Sequence, residues 1–194
     1  HGSEVSKKFG ISRQEQDEWA LRSQQNAVAA IKNGRLKEEI VPVEIKAKKG
    51  RKIIDTDEGP REDTTIEGLS KLPPVFAKDG SVTAGNAPSV NDGAGALVLM
   101  SKDKANELGI KPLATILGYA EVSQEAKYIA TVPGLATLKL LKQKDMSINA
   151  IDLIEVNEAF AAVALTSTKI TNWDVNKVNL DGGAIAFGHP IGAS

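Results

Sequence analysis

Asp152-Leu153-Ile154-Glu155-Val156 is a short apolar run that breaks at Asn157-Glu158-Ala159-Phe160, after which small residues continue at helical density to Ile170. A run of this length bounded by polar residues reads as a strand, and 158–170 reads as an Ala-rich helix. Val178-Asn179-Leu180 then reads as another strand, entering Gly182-Gly183. Strand, helix and strand in succession predict an α/β fold in which helices cover a sheet in layers.

The same alternation extends upstream. Leu113 to Val122 reads as a strand, and Pro133 stands at the first turn of a helix that carries Leu135, Leu138 and Leu141. The spacing predicts a short surface helix over 102–108, stopped by Gly109, and a buried strand over 96–101 (Ala96-Leu97-Val98-Leu99-Met100-Ser101). From about Ser81 small residues replace the polar loops of the first part, which marks a boundary. Before it, Thr64-Thr65-Ile66-Glu67 has capping-box spacing ahead of a short helix ending before Pro73-Pro74. Ile40 to Ile45 reads as a strand followed by a basic run over 46–52 and an acidic turn over 55–63. Ser12-Arg13-Gln14-Glu15 is a second capping box, with Trp19, Ser23, Ala27, Ala30 and Ile31 at helical spacing and Asn33-Gly34 as the stop. His1-Gly2-Ser3 lacks an initiator Met, which reads as an internal start or an added tag.

Composition narrows the function classes. Lys and Arg number 24 against 25 for Asp and Glu, so the net charge of -1 creates no field to attract nucleic acid, and 4% aromatic residues offer few stacking platforms. No apolar run approaches the roughly 20 residues that span a bilayer, and no segment reads as a signal peptide. With no cysteine, the chain holds neither a disulfide nor a thiolate metal site, and its histidines are too few to complete a metal ligand set.

The candidate chemistry lies at Asn157 and His189. Asn157 falls where a strand end meets a helix start, a place where ligands collect in α/β sheets. Its amide can hold a water or an oxyanion there, or it can simply cap the helix; the residues alone leave both readings open, and Glu158 is equally open. His189 lies in Gly182-Gly183-Ala184-Ile185-Ala186-Phe187-Gly188-His189-Pro190-Ile191-Gly192-Ala193-Ser194. The glycines permit close approach, Pro190 stiffens the backbone, and an imidazole so held is either structural or a general base. The glycines match neither a dinucleotide fingerprint nor a P-loop. Thr83 to Ala94 is a second small, polar stretch, read alone as a turn cluster. The basic run over 46–52 either meets a ligand's phosphates or forms a solvated face.

Taken together, Asn157-Glu158-Ala159-Phe160 resembles the Asn-Glu-Ala-Phe motif of the thiolase family. Gly182 to Ser194 resembles that family's Gly-Gly-Ala-Ile-Ala-x-Gly-His-Pro-Ile-Gly-Ala-Ser signature, and Thr83 to Ala94 resembles a third block. The resemblance runs from Val5 along nearly the whole chain. It implies a partial thiolase-like layered α/β fold: residues 1–90 as the remainder of a coenzyme A binding insertion, 91–111 as the end of the N-terminal half, and 112–194 as a truncated C-terminal half. It implies acyl transfer between acetyl-CoA and acyl-CoA through a cysteine thioester, by condensation or thiolysis. His189 would be the general base and Asn157 would orient an oxyanion-hole water.

By the same resemblance Phe160 and Ala84 would line the pantetheine path, Ser89 would offer it a hydrogen bond, and Arg61 would lie at the adenine and phosphate end. Coenzyme A thioester would be the substrate, with no covalently bound cofactor and no metal. A cytoplasmic location and a homodimer or homotetramer of the intact protein complete the expectation. Two departures accompany it. Both family cysteines are missing, so this polypeptide alone is expected to be inactive, and Pro88 replaces a common Ser. A non-catalytic coenzyme A binding or assembly module on the same fold is the alternative; a hydrolase pairing His189 with Ser194 is a third reading that lacks an orienting acid.

Overall fold

The computed structural model describes residues 2–48 and 50–193. His1, Lys49 and Ser194 therefore lie outside the described residues, and with Ser194 goes the hydrolase pairing. Helix α1 (Gly2–Lys8) opens the chain. Its signals are modest but present in the sequence: Glu4 in the first turn, Lys7 and Lys8 in the last, each placed to favour the helix dipole.

Helix α2 (Arg13–Lys32) has the expected bounds. The Ser12 hydroxyl accepts the Glu15 N–H at 3.1 Å, and the Glu15 carboxylate accepts the Ser12 N–H at 2.6 Å, so two otherwise orphaned amides are satisfied. Trp19, Ala20, Ser23, Ala27 and Ala30 are buried along one face, and the helix ends at Asn33 before Gly34. Val43–Ala47 (β1) pairs antiparallel with Gly50–Ile54 (β2), and every residue of both strands is exposed except the half-buried Ile54. The expected strand is thus shifted toward the C-terminus, and its basic continuation forms the second strand of a solvated hairpin.

Helix α3 (Ile66–Ser70) starts at Thr65, whose hydroxyl accepts the Gly68 N–H at 3.1 Å; the box expected on Thr64 and Glu67 is displaced by one residue. Arg13 from α2 donates through Nη2 to the carbonyls of Leu69 (2.7 Å) and Leu72 (3.0 Å), which closes the free end of this helix. The short helix α4 (Lys102–Glu107) is capped by Ser101. A 3-10 turn over Ala126–Thr131 leads into α5 (Val132–Lys144), with Pro133 in its first turn as expected.

Helix α6 (Ala161–Thr171) lies between two core clusters. Ala161 and Ala164 join Trp19, Val156, Trp173 and Ile185 in one; Val163 joins Val5 and Ala130 in the other. The helix begins three residues later than expected, with Phe160 as its N-cap, because the Glu158 side chain turns inward instead of starting the helical face. Asn157 is accordingly not the cap. The short helix α7 (Ala184–Phe187) packs against α2.

The expected strands near Ile154 and Val178 meet in a single parallel bridge: the Ile154 N–H donates to Lys177 O and the Asn179 N–H donates to Ile154 O, both at 2.9 Å. Asn179 then leaves the extended region (φ 46°). Its side chain continues the ladder in place of backbone, Oδ1 accepting the Val156 N–H at 2.8 Å and Nδ2 donating to Val156 O at 2.9 Å.

The runs over 96–101 and 113–122 correct the expectation of buried or paired strands. Leu97, Val98 and Leu99 are 88%, 85% and 73% exposed, Leu113, Ile116 and Tyr119 are exposed as well, and among the described residues no strand pairs with either run. Both have strand composition. Composition, however, encodes a readiness to pair, and burial requires a neighbouring strand to be present.

Candidate active site

Two segments carry the site. One is the loop after Val156, fixed by Asn179, and it presents Asn157; the other is the stretch that follows α7 and presents His189. Asn157 Nδ2 and His189 Nε2 are 3.3 Å apart. Asn157 is exposed and His189 half-buried, so the pair faces outward from the core, while Val156, Glu158 and Gly188 beside it are buried.

His189 is held from behind. Its N–H donates to Ser89 O at 3.3 Å, and Ser89 Oγ donates to Asn91 Oδ1 at 2.7 Å. Gly188, immediately before it, has φ 99°, and a Cβ there would collide with the Asn91 side chain. Both the backbone conformation and the space require glycine. Pro190 packs on Gly93, where a Cβ would lie 2.7 Å from its Cγ. The Thr83–Ala94 stretch is thus a shelf for the histidine loop, and it is anchored in turn: Asn86 Nδ2 donates to Asp17 Oδ1 at 2.9 Å, Asn86 Oδ1 accepts the Thr83 N–H at 2.8 Å, and Asn86 O accepts the Ala161 N–H at 3.0 Å.

Beside this shelf opens a cleft of about 490 Å³, lined among others by Arg61, Thr64, Ala84, Ala87, Ser89 and Ile185. Arg61, Ala84 and Ser89 are thereby brought together. Phe160 is not in the lining; its ring meets Phe76 edge-on, centroids 6.1 Å apart at 89°, next to Gly2 of α1. Among the described residues, Lys46, Lys48 and Lys52 of the hairpin segment do not line the cleft either. Ser89 joins the two parts of the site, because its side of the shelf lines the cleft and its carbonyl accepts the His189 N–H.

Sequence reading missed Gln24. It is buried in α2, its Oε1 accepts the Arg61 N–H at 2.7 Å, and it forms part of the cleft wall. A polar residue on the buried face of a confidently placed helix was the available signal. Sequence reading also left Glu158 open; the side chain is completely buried. Burial pushes the Arg22 guanidinium below its ordinary value, and the Glu158 charge opposes that shift. Arg22 Nη2 donates to Val175 O at 3.0 Å and Val178 O at 2.6 Å, while its buried Nη1 has no hydrogen-bond partner. Among the described residues no helix is long and apolar enough to cross a membrane.

Comparison with known proteins agrees in both sequence and fold. The family model "Thiolase, N-terminal domain" matches residues 1–103, and "Thiolase, C-terminal domain" matches residues 110–194. An acetyl-CoA acetyltransferase from Pseudomonas aeruginosa is 50% identical over 191 residues, which is 98% of this chain and 49% of the relative. The crystal structure of the Bacillus anthracis acetyl-CoA acetyltransferase superimposes with a TM-score of 0.96 at 45% identity, covering 99% of this chain and 49% of that one. Human mitochondrial 3-ketoacyl-CoA thiolase gives a TM-score of 0.95 at 44% identity, covering 100% and 49%. The chain spans about half the length of the curated relatives it matches.

Proposed function

Because this chain belongs to the thiolase family, we propose that it supplies the base and oxyanion half of an active site transferring acyl groups between coenzyme A thioesters. The observation that carries the reading is the 3.3 Å approach of Asn157 Nδ2 to His189 Nε2, beside a cleft lined by Arg61, Ala84 and Ser89.

The chain contains no cysteine, so the nucleophile comes from other polypeptide. His189 takes the proton from that thiol, and the thiolate attacks the thioester carbonyl. The new carbon–sulfur bond leaves charge on the carbonyl oxygen, which a water oriented by Asn157 stabilises until coenzyme A departs as its thiol, carrying the proton that His189 returns to its sulfur. A base on the cysteine-bearing polypeptide then takes a proton from the carbon beside the carbonyl of a second acetyl thioester; the enolate attacks the acyl-enzyme carbonyl, and the carbon–sulfur bond to the nucleophile breaks to release its thiolate. Thiolysis is the reverse. Arg61 serves the phosphate end of the coenzyme, with Ala84 and Ser89 along the pantetheine. Phe160 reaches that path only if the rings it shares with Phe76 separate.

Residues 1–90 are assigned to the coenzyme-binding insertion, 91–111 to the end of the first half and 112–194 to the second half. The substrates are acetyl-CoA and acyl-CoA, with no metal and no covalently held cofactor. The intact protein is assigned to the cytoplasm as a homodimer or homotetramer, tested by fractionation and by light scattering.

The direct experiment joins this chain to the family's cysteine-bearing segments and measures thiolysis of acetoacetyl-CoA. His189→Ala should lower kcat by about 10²–10⁴, the usual worth of a general base, and unchanged turnover would refute the role. The absence of cysteine supports a second reading, a coenzyme A binding module without catalysis. That reading predicts coenzyme A binding by the 194 residues alone and no turnover in any joined form.

A further inference from the structure

Glu158 is fully buried, and its carboxylate is surrounded by donors. Trp19 Nε1–H donates to Oε1 at 2.9 Å and Asn179 Nδ2 donates to the same oxygen at 3.0 Å. Ser23 Oγ lies 2.7 Å and the Ile185 N–H nitrogen 3.0 Å from Oε2. Indole and backbone N–H groups can only donate. Asn179 Oδ1 is occupied by the Val156 N–H, so its Nδ2 faces the glutamate. Ser23 Oγ accepts the Gly183 N–H at 3.1 Å, so the same hydroxyl ties Gly183 to Glu158. Both carboxyl oxygens therefore have two polar partners each.

The donors come from three separate parts of the chain: α2, the end of the Val178 strand, and α7. Glu158 itself follows Asn157 directly, and Ile185 stands four residues before His189. Gly183 belongs to the same arrangement, since a Cβ there would overlap the carboxylate. The carboxyl group is thus a common anchor for the segment bearing Asn157 and the segment bearing His189, and both are bolted through it to α2.

We infer that Glu158 is a positioning residue: by joining Ile185 N–H, Asn179, Trp19 and Ser23 through one buried carboxyl group, it fixes the separation of Asn157 and His189. The inference rests on the proposed reading of those two residues as the working pair. Glu158→Gln replaces an acceptor by an amide that must oppose at least one of four donors, and α7 and the histidine after it are the parts free to shift.

The test uses the 15N-labelled 194-residue chain and follows the His189 ring and the two indole N–H resonances by NMR, with His189→Asn separating its signals from those of His1. In Glu158→Gln the His189 ring resonances should be displaced, because the segment through Ile185 is no longer held, and Trp19 indole exchange should accelerate. The Trp173 indole, bonded to Thr168 Oγ1 at 2.7 Å, should keep its shift and report an intact fold. Ser23→Ala, which removes one partner of the carboxyl group, should displace the His189 ring resonances by less, and it decides the matter alone if Glu158→Gln does not fold. His189 ring resonances that superimpose on those of the unsubstituted chain in the folded variants would overturn the inference. No coenzyme and no turnover enter this readout, so a chain that fails to bind coenzyme A refutes the proposed function and leaves the anchor standing.

Discussion

The side-chain amide of Asn157 stands 3.3 Å from Nε2 of His189 across 32 residues of sequence. An asparagine Nδ2 can only donate, so Nε2 accepts in this contact. Asn157→Asp replaces that donor by an oxygen. The variant should displace the His189 ring resonances and lose thiolysis in the joined enzyme; NMR spectra of the ring that superimpose would contradict the contact.

Gly188→Ala should destabilise the chain by about 1–3 kcal/mol, the usual cost of forcing a side chain into a sparsely populated backbone region. The Asn91 side chain occupies the same space. Urea unfolding measures the loss, and Asn91→Ala in the same chain should recover part of it by removing the collision.

Ser12→Ala should cost about 1 kcal/mol by urea unfolding at neutral pH, as expected for loss of an N-cap. The Ser12 N–H and then the Ser12 hydroxyl hold the Glu15 carboxyl below its ordinary value. Because the folded form is the one depressed, the contribution is complete above the unfolded carboxylate range and disappears as pH falls through the folded value. Glu15→Gln should therefore be less stable than the unsubstituted chain at pH 7 and converge with it in strong acid. A constant difference at every pH would exclude this origin.

Trp19→Ala should cost about 3–5 kcal/mol, since the ring is 5% exposed in the main core. Trp19→Phe keeps most of the apolar contact but removes one of the donors to a buried carboxylate. Its cost should be about 1–3 kcal/mol, and calorimetry of the two variants separates packing from hydrogen bonding.

Leu97→Glu with Leu99→Glu should reduce dye binding by exposed apolar surface and reduce self-association of the 194-residue chain, without lowering its unfolding midpoint. Both leucines are largely solvent-facing, and contiguous exposed apolar surface favours association. Dye fluorescence checks the first outcome, sedimentation velocity the second and thermal unfolding the third.

Local signals were legible in the sequence wherever a few adjacent residues decide the geometry. Ser12 with Glu15 fixed one end of α2 and Asn33-Gly34 the other; Pro133 placed the start of α5. The start of α6 was misread because Glu158 looks like a first-turn acid, and only Trp19, Ser23, Asn179 and Ile185, all distant in sequence, draw it inward. The runs over 96–101 and 113–122 failed for the complementary reason: their side chains announce a strand, and the partner is non-local. The candidate site followed the same division. His189 and Asn157 were visible through their motifs, and the cleft gathered Arg61, Ala84 and Ser89, while Gln24 and the anchoring role of Glu158 depend on a helix some 130 residues upstream.

Helix α6 has one alanine face toward Trp19 and a valine toward Val5. It acts as a shim whose thickness is one methyl group. Divergence among related chains should consequently be lopsided here, with exchanges among Ala, Ser and Gly tolerated at 161 and 164 and any branched replacement prising the two halves of the interior apart.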